Sequence, residues 1–176
     1  MKTFTTKRLC RGGMIAALYV ALTYAFMPLA FGPIQVRPAE ALCILPLFFP
    51  EAIPALYVGC MISNLASPFF VYDVLIGSLV TLVAAFGSYL VGRFLKNEAA
   101  KPWLGGAFPI LLNALFIPVI IVFLCGGDAG YTSAAIAYFS YVFSMFITEA
   151  LWIYGLGLPL YQSVLRLRKR GLAFLL

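Results

Sequence analysis

The chain has 176 residues, 64% of them hydrophobic and 10% charged, with twelve basic residues, six acidic ones and no histidine. A mean hydropathy of +1.02 excludes an ordinary soluble domain, whose core could not bury so much Leu, Ile, Val, Phe and Ala. The composition therefore describes a single all-α integral membrane domain, residues 1–176, with the lipid bilayer as its first partner.

A hydrocarbon core about 30 Å thick is crossed by roughly 20 apolar residues in a helix. Stretches of that kind lie at 14–31, 72–92, 103–124 and 132–165. The first is too long for a cleavable signal and lacks a clear small-residue cleavage site, so it reads as a span. Along it, Gly13, Ala17, Ala21 and Ala25 recur at intervals of four and leave one helix face smooth. That face serves either packing within the chain or docking onto a partner membrane subunit.

Next comes "PAEALCILPLFFPEAIPALYVGCMISNLA", residues 38–66, either one kinked span or two short helices. Pro46, Pro50 and Pro54 interrupt a helical ladder, and a carboxylate at Glu51 is costly in mid-bilayer, so a turn is expected there. Charge placement decides in the same direction. With a hairpin and a cytoplasmic N-terminus, Lys2, Lys7, Arg8, Arg11, Arg93, Lys96, Lys101, Arg166, Arg168, Lys169 and Arg170 all face the cytoplasm, and only Arg37 lies outside. A single crossing would put eight basic residues outside and four inside. The positive-inside rule thus predicts six helices, approximately 14–31, 38–50, 52–66, 72–94, 103–124 and 132–166, with both termini cytoplasmic. Helices two and three are short, and short proline-interrupted helices are tolerated where protein covers their ends or where they line a cavity. The outer end of this hairpin is a candidate binding site.

Polar groups are sparse elsewhere. Arg37 and Glu40 open helix two in "IQVRPAEAL", Asn64 closes helix three and Asp73 opens helix four, while Asn113 and Glu149 sit near the middles of helices five and six. An unpaired carboxylate at a helix centre costs about 2.5–3.5 kcal/mol on the mildest scale, so Glu149 needs a compensating role. It is either a protonated or Asn-paired group fixing helix contacts, or an acid facing a ligand cavity. Asn64 and Asn113 divide between helix–helix bonding and ligand contact. Asp73 reads first as a favourable first-turn anion, and Arg37 with Glu40 as a local ion pair or a gate. Glu51, Glu98 and Asp128 fall in turns and loops and read as solvated charges. Cys10, Cys43, Cys60 and Cys125 show no CxxC spacing and read as packing residues, with no metal and no cofactor expected.

The segments "IQVRPAEAL", "PALYVGCMISNLASP" and "YDVLIGSLVTLVAA" resemble the QueT family, substrate-binding S components of energy-coupling factor (ECF) transporters assigned to queuosine-precursor uptake. The resemblance implies capture of a 7-deazaguanine such as 7-aminomethyl-7-deazaguanine from outside, toppling on a shared T subunit, and release inside driven by two ATPase subunits. It also implies that Ala17, Ala21 and Ala25 contact the T subunit. A guanine-like edge offers adjacent N–H and NH2 donors that one carboxylate accepts in parallel. Under that implication Glu149 is the first candidate and Glu40 the second, with Asn64 or Asn113 serving the carbonyl and ring N–H. Aromatic neighbours such as Tyr138 or Phe69 would cover the ring faces, and Glu40 or Asp73 would meet a cationic aminomethyl group.

Other classes fit less well. The absence of histidine removes zinc-protease, Ser–His and Cys–His chemistry, so no enzyme is expected. No G-x-x-x-x-G-K-[ST] phosphate loop is present, so ATP hydrolysis belongs to other subunits. The basic residues cluster at the ends of apolar segments rather than along a polar face, which argues against nucleic acid. The remaining alternatives are an S component for another small vitamin-like solute and a stand-alone secondary transporter, although no repeated halves are visible.

Overall fold

The computed structural model describes residues 6–31, 35–126 and 130–171; Lys2 and Asp128 lie outside the described residues. These residues form helices and connecting turns, with no strand among them. Helix α1 spans Thr6–Ala25, so it begins before the apolar run and carries Lys7, Arg8 and Arg11 in its first turns. A four-residue helical turn, Met27–Ala30, follows. A 3-10 helix then covers Pro38–Leu47, and α2 spans Ala52–Ser63 with a further 3-10 turn at Asn64–Ala66. Helices α3 (Phe70–Phe94) and α4 (Lys101–Leu124) are long, and each contains a π-helical turn, at Asp73–Gly77 and at Ile120–Leu124. Helix α5 (Ala134–Gly155) and helix α6 (Gly157–Lys169) make one long apolar run broken at Leu156. Pro159 explains the break, because it has no N–H for the Gly155 carbonyl and its ring crowds that oxygen.

Three helical segments are long and apolar enough to cross a membrane, Phe70–Phe94, Lys101–Leu124 and Ala134–Lys169, and two shorter apolar ones accompany them. Phe94, Phe139 and Phe143 are 74%, 68% and 69% exposed, an apolar surface suited to lipid or to another membrane protein rather than to water. The interior runs the other way. All ten residues of the 3-10 helix are buried, and each of the six α-helices packs against it. Sequence reading expects an ordinary short helix over 38–50; the observed segment is tighter and ends at Leu47. Pro46 accounts for part of this, since it removes an α-type hydrogen bond and disfavours α geometry at Leu45. At about 2.0 Å per residue, the ten residues still span roughly 20 Å through the centre of the bundle.

Close approach makes this arrangement possible. A Cβ on Gly92 would lie 2.5 Å from the Leu47 carbonyl oxygen, so α3 meets the end of the 3-10 helix only because that position is glycine. Gly92→Ala should therefore destabilise the fold by about 1–3 kcal/mol, read as a lower midpoint in thermal unfolding of the detergent-solubilised protein. Proline in the membrane-facing helices is handled in a related way. Pro109 frees the Gly105 carbonyl within α4, and Ser88 Oγ of α3 donates to that oxygen at 2.7 Å.

On α1, Arg11, Ile15, Tyr19 and Thr23 point inward at intervals of four. Gly13, Ala17, Ala21 and Ala25, at the same spacing on the other side, are exposed rather than packed within the chain. Arg11 pairs with Glu51 at 2.7 Å and lies over the Phe49 ring, so Glu51 is a buried ion-pair partner and not a solvated turn charge. Glu98 stays in the turn before α4, where the Lys101 hydrogen bond at 2.5 Å holds its carboxyl below the usual carboxylate range against partial desolvation.

Candidate functional site

One small cavity gathers seven of the buried polar side chains: Arg37, Glu40, Asn64, Asp73, Thr81, Asn113 and Glu149. The first turn of the 3-10 helix supplies Glu40, and Arg37 lies just before it, where Pro38 starts the helix without wasting an N–H. The end of α2 supplies Cys60 and Asn64. Asp73, Gly77 and Thr81 follow one another along α3 at intervals of four. Asn113 and Ile117 come from α4, Met145 and Glu149 from α5. Five separate segments thus contribute to one place.

The hydrogen bonds form two groups. In the first, Tyr19 of α1 donates its hydroxyl to Glu40 Oε1 at 2.5 Å, and Cys43 Sγ donates to Glu40 Oε2 at 3.2 Å. Asn113 Nδ2 lies 3.5 Å from Glu40 Oε2 and 3.0 Å from Glu149 Oε1, so one amide bridges two carboxyl groups. In the second, Asn64 Nδ2 donates to the Asp73 carbonyl at 2.8 Å, and Ser67 Oγ donates to Asp73 Oδ2 at 2.5 Å. Thr81 Oγ1 contacts Cys60 Sγ at 3.4 Å and the Gly77 carbonyl at 3.2 Å. A Cβ at Gly77 would make only ordinary van der Waals contact, 3.4 Å from Asn64 Nδ2.

Two acceptors stand apart. Glu149 Oε2 and Asn64 Oδ1 are buried, have no hydrogen-bond partner among the described residues, and belong to residues lining the same cavity. A buried acceptor left unpaired costs about 1–3 kcal/mol, more when it carries charge. The cavity measures about 10 Å3, the room of roughly one water molecule. The site is therefore polar, acceptor-rich and closed, and a bicyclic molecule enters only if its walls part. The π turn at Asp73–Gly77 is an irregularity of the kind that often accompanies functional sites.

Of the residues predicted to meet a solute, Arg37, Glu40, Asn64, Asp73, Asn113 and Glu149 line this cavity together. Tyr138 does not: it sits eleven residues before Glu149 on α5, about 16 Å along the axis, where its hydroxyl donates to the Leu115 carbonyl at 3.2 Å. Phe69 is also outside the lining and packs behind it, against the cluster that includes Ile117 and Met145. Arg37 makes no ion pair with Glu40 among the described residues; its Nε donates to the Ala30 carbonyl at 2.9 Å and its guanidinium lies 4.9 Å from the centre of the Phe31 ring. Sequence reasoning missed Tyr19, Cys60 and Thr81. The spacing Asp73–Gly77–Thr81 marks one helix face and carried a usable signal; Tyr19 lay hidden in an apolar run.

Residues 9–166 match the family described as QueT transporter. The chain belongs to the QueT transporter family. A relative from Lactococcus lactis subsp. cremoris (strain MG1363), named Queuosine precursor transporter QueT, is 38% identical over 111 residues, which make up 61% of this chain and 65% of that protein. The matched part thus falls just short of two thirds of the relative. No solved structure matches the chain significantly. The family and the relative are transporters, not enzymes.

Proposed function

We propose that this chain is the substrate-binding S component of an ECF-type ABC importer in the cell membrane, capturing a queuosine precursor of the 7-deazaguanine class from outside. The observation that carries the reading is the pair of unpartnered buried acceptors, Glu149 Oε2 and Asn64 Oδ1, in one cavity. Acceptors without donors call for a solute rich in N–H groups. A 7-deazaguanine brings adjacent ring N–H and amino donors on one edge and a pyrrole N–H on the other.

Glu149 accepts the paired donors of the guanine-like edge, and its second oxygen is already steadied by Asn113. Asn64 Oδ1 accepts a ring N–H. Glu40 and Asp73 offer negative charge to an aminomethyl group, and Arg37 balances part of the charge of the three carboxyl groups. Ile117 and Met145 form apolar walls for the ring faces, with Phe69 as backing. The relative named as a queuosine precursor transporter supports the choice of solute.

In the proposed arrangement the chain crosses the membrane six times with both termini cytoplasmic, which keeps Lys7, Arg8, Arg11, Arg93, Lys96 and the basic end of α6 on one side. ATP hydrolysis lies with two partner subunits, and the exposed face formed by Ala17, Ala21 and Ala25 docks on the T subunit. Ala21→Leu should then leave solute affinity within about twofold while reducing uptake of radiolabelled 7-aminomethyl-7-deazaguanine at least about tenfold, since a leucine keeps two helices from close contact. Uptake in cells carrying this chain should also stop when the ATPase subunits are deleted. Uptake that continues without them contradicts the ECF reading and favours a stand-alone secondary transporter.

A further inference from the structure

At the end of the bundle where α3 stops, α4 starts and α6 ends, a cavity of about 420 Å3 opens between these elements and the end of the 3-10 helix. Its charged lining is Lys101, Arg168, Lys169 and Glu98, and its floor is Leu47 and Phe48. The one carboxylate is already engaged. Glu98 accepts from Lys101 at 2.5 Å and from the Tyr161 hydroxyl at 2.9 Å, and Tyr161 in turn stacks on Phe48 with ring centres 4.8 Å apart. Arg168 and Lys169 are left over: among the described residues neither meets a carboxylate within ion-pair distance. Three cations against one carboxylate leave an excess of positive charge over a cavity of this size, which suits an oxyanion, and a guanidinium beside an ammonium suits phosphate in particular.

A second feature narrows the choice. On the adjoining turns of α3 and α4, an open groove of about 330 Å3 is lined only by Leu90, Val91, Phe94, Leu95 and Leu104. Gly92 faces the basic cavity while Val91 and Leu95 face the groove, and Lys101 and Leu104 stand one turn apart on α4. Charged and apolar sites of similar volume thus lie on neighbouring faces of the same two helix ends. A free phosphate would use the first and leave the second uncovered; a phosphate carrying an acyl chain uses both.

We infer that this end of the protein is a binding site for an anionic phospholipid, its headgroup phosphate held by Arg168, Lys169 and Lys101 and one acyl chain lying in the groove of Leu90, Phe94 and Leu104. Basic pockets between helices at the membrane surface recognise anionic headgroups in this way. The Tyr161–Glu98–Lys101 chain keeps the turn between α3 and α4 in place, so it orients Lys101 rather than neutralising the whole site. The site is separate from the cavity around Glu149 and does not depend on which solute is carried.

The test is native mass spectrometry of the full-length protein released from detergent after mixing with phosphatidylglycerol, phosphatidylcholine or inorganic phosphate. Phosphatidylglycerol should remain bound, and the double variant Arg168→Gln/Lys169→Gln should lose at least about tenfold of that occupancy. Lys7→Gln, which removes a charge away from the cavity, should keep it. Arg168 and Lys169 are exposed, so unchanged thermal unfolding of the double variant separates lost binding from lost fold. Leu104→Ser should weaken phosphatidylglycerol through the groove alone. Equal retention of phosphatidylcholine, displacement of the lipid by millimolar inorganic phosphate, or unchanged binding in the double variant would each overturn the inference.

Discussion

Glu149→Gln should weaken binding of 7-aminomethyl-7-deazaguanine by roughly ten- to a hundredfold, with the fold as stable as before or more so. The size follows from losing a hydrogen bond to a charged acceptor, about 1.5–3 kcal/mol. The geometry sharpens it. Asn113 Nδ2 holds Oε1 of residue 149 at 3.0 Å, so a glutamine would keep its carbonyl oxygen there and turn its NH2 toward the solute. A donor would then face the donors of the guanine-like edge. Stability moves the other way, because a buried, half-satisfied carboxylate is costly and its neutral isostere is not. Isothermal titration and thermal unfolding on the same preparation check both halves. A residue that only fixed helix contacts would lose stability without losing affinity.

Glu40→Ala should have the second-largest effect, and it should reach both fold and binding. The Tyr19 hydroxyl, on a residue only 1% exposed, would lose its acceptor at 2.5 Å, and the Cys43 thiol would lose its partner too. Leaving such a donor unpaired costs about 1–3 kcal/mol, so the unfolding midpoint should fall. Affinity should fall about tenfold or more, since Asn113 would no longer be held between two carboxyl groups. The double variant Tyr19→Phe/Glu40→Ala separates the two roles. It removes the orphaned hydroxyl, so stability should recover in part while affinity stays low; recovery of both would make Glu40 a structural residue only.

The candidate site was legible because polar groups in an apolar chain are few and must share their cost. Asn113 and Glu149, read separately as mid-helix polar residues, meet at 3.0 Å because α4 and α5 pack along their lengths. Asp73 illustrates the limit. Its first-turn position explains it locally, yet its carboxyl also takes the Ser67 hydroxyl and lines the cavity, a contact set by the loop before α3. Tyr138 stands outside the cavity for a geometric reason: an aromatic residue on the same helix as Glu149 can lie three turns away from it.

Non-local partners account for most of what sequence could not supply. Arg37 and Glu40 are neighbours in the chain, but Arg37 reaches back to the Ala30 carbonyl and the Phe31 ring, while Glu40 is held by Tyr19 and Cys43. Arg11 and Glu51, forty positions apart, form a buried pair that nothing in the local sequence announces. The 3-10 character of Pro38–Leu47 has a similar origin, since hydropathy reports that a segment is buried but not how tightly it winds. Its prolines were visible; the pressure of six surrounding helices was not.

The most direct test of the central claim is calorimetric titration of the purified protein with 7-aminomethyl-7-deazaguanine and, separately, with adenine. Buried acceptors discriminate strongly against a ligand that lacks the matching donors, by about 10⁴-fold in sites of this kind. The account predicts saturable one-to-one binding of the deazaguanine and no detectable binding of adenine at the same concentrations. Comparable affinity for both, or heat from neither, would contradict it.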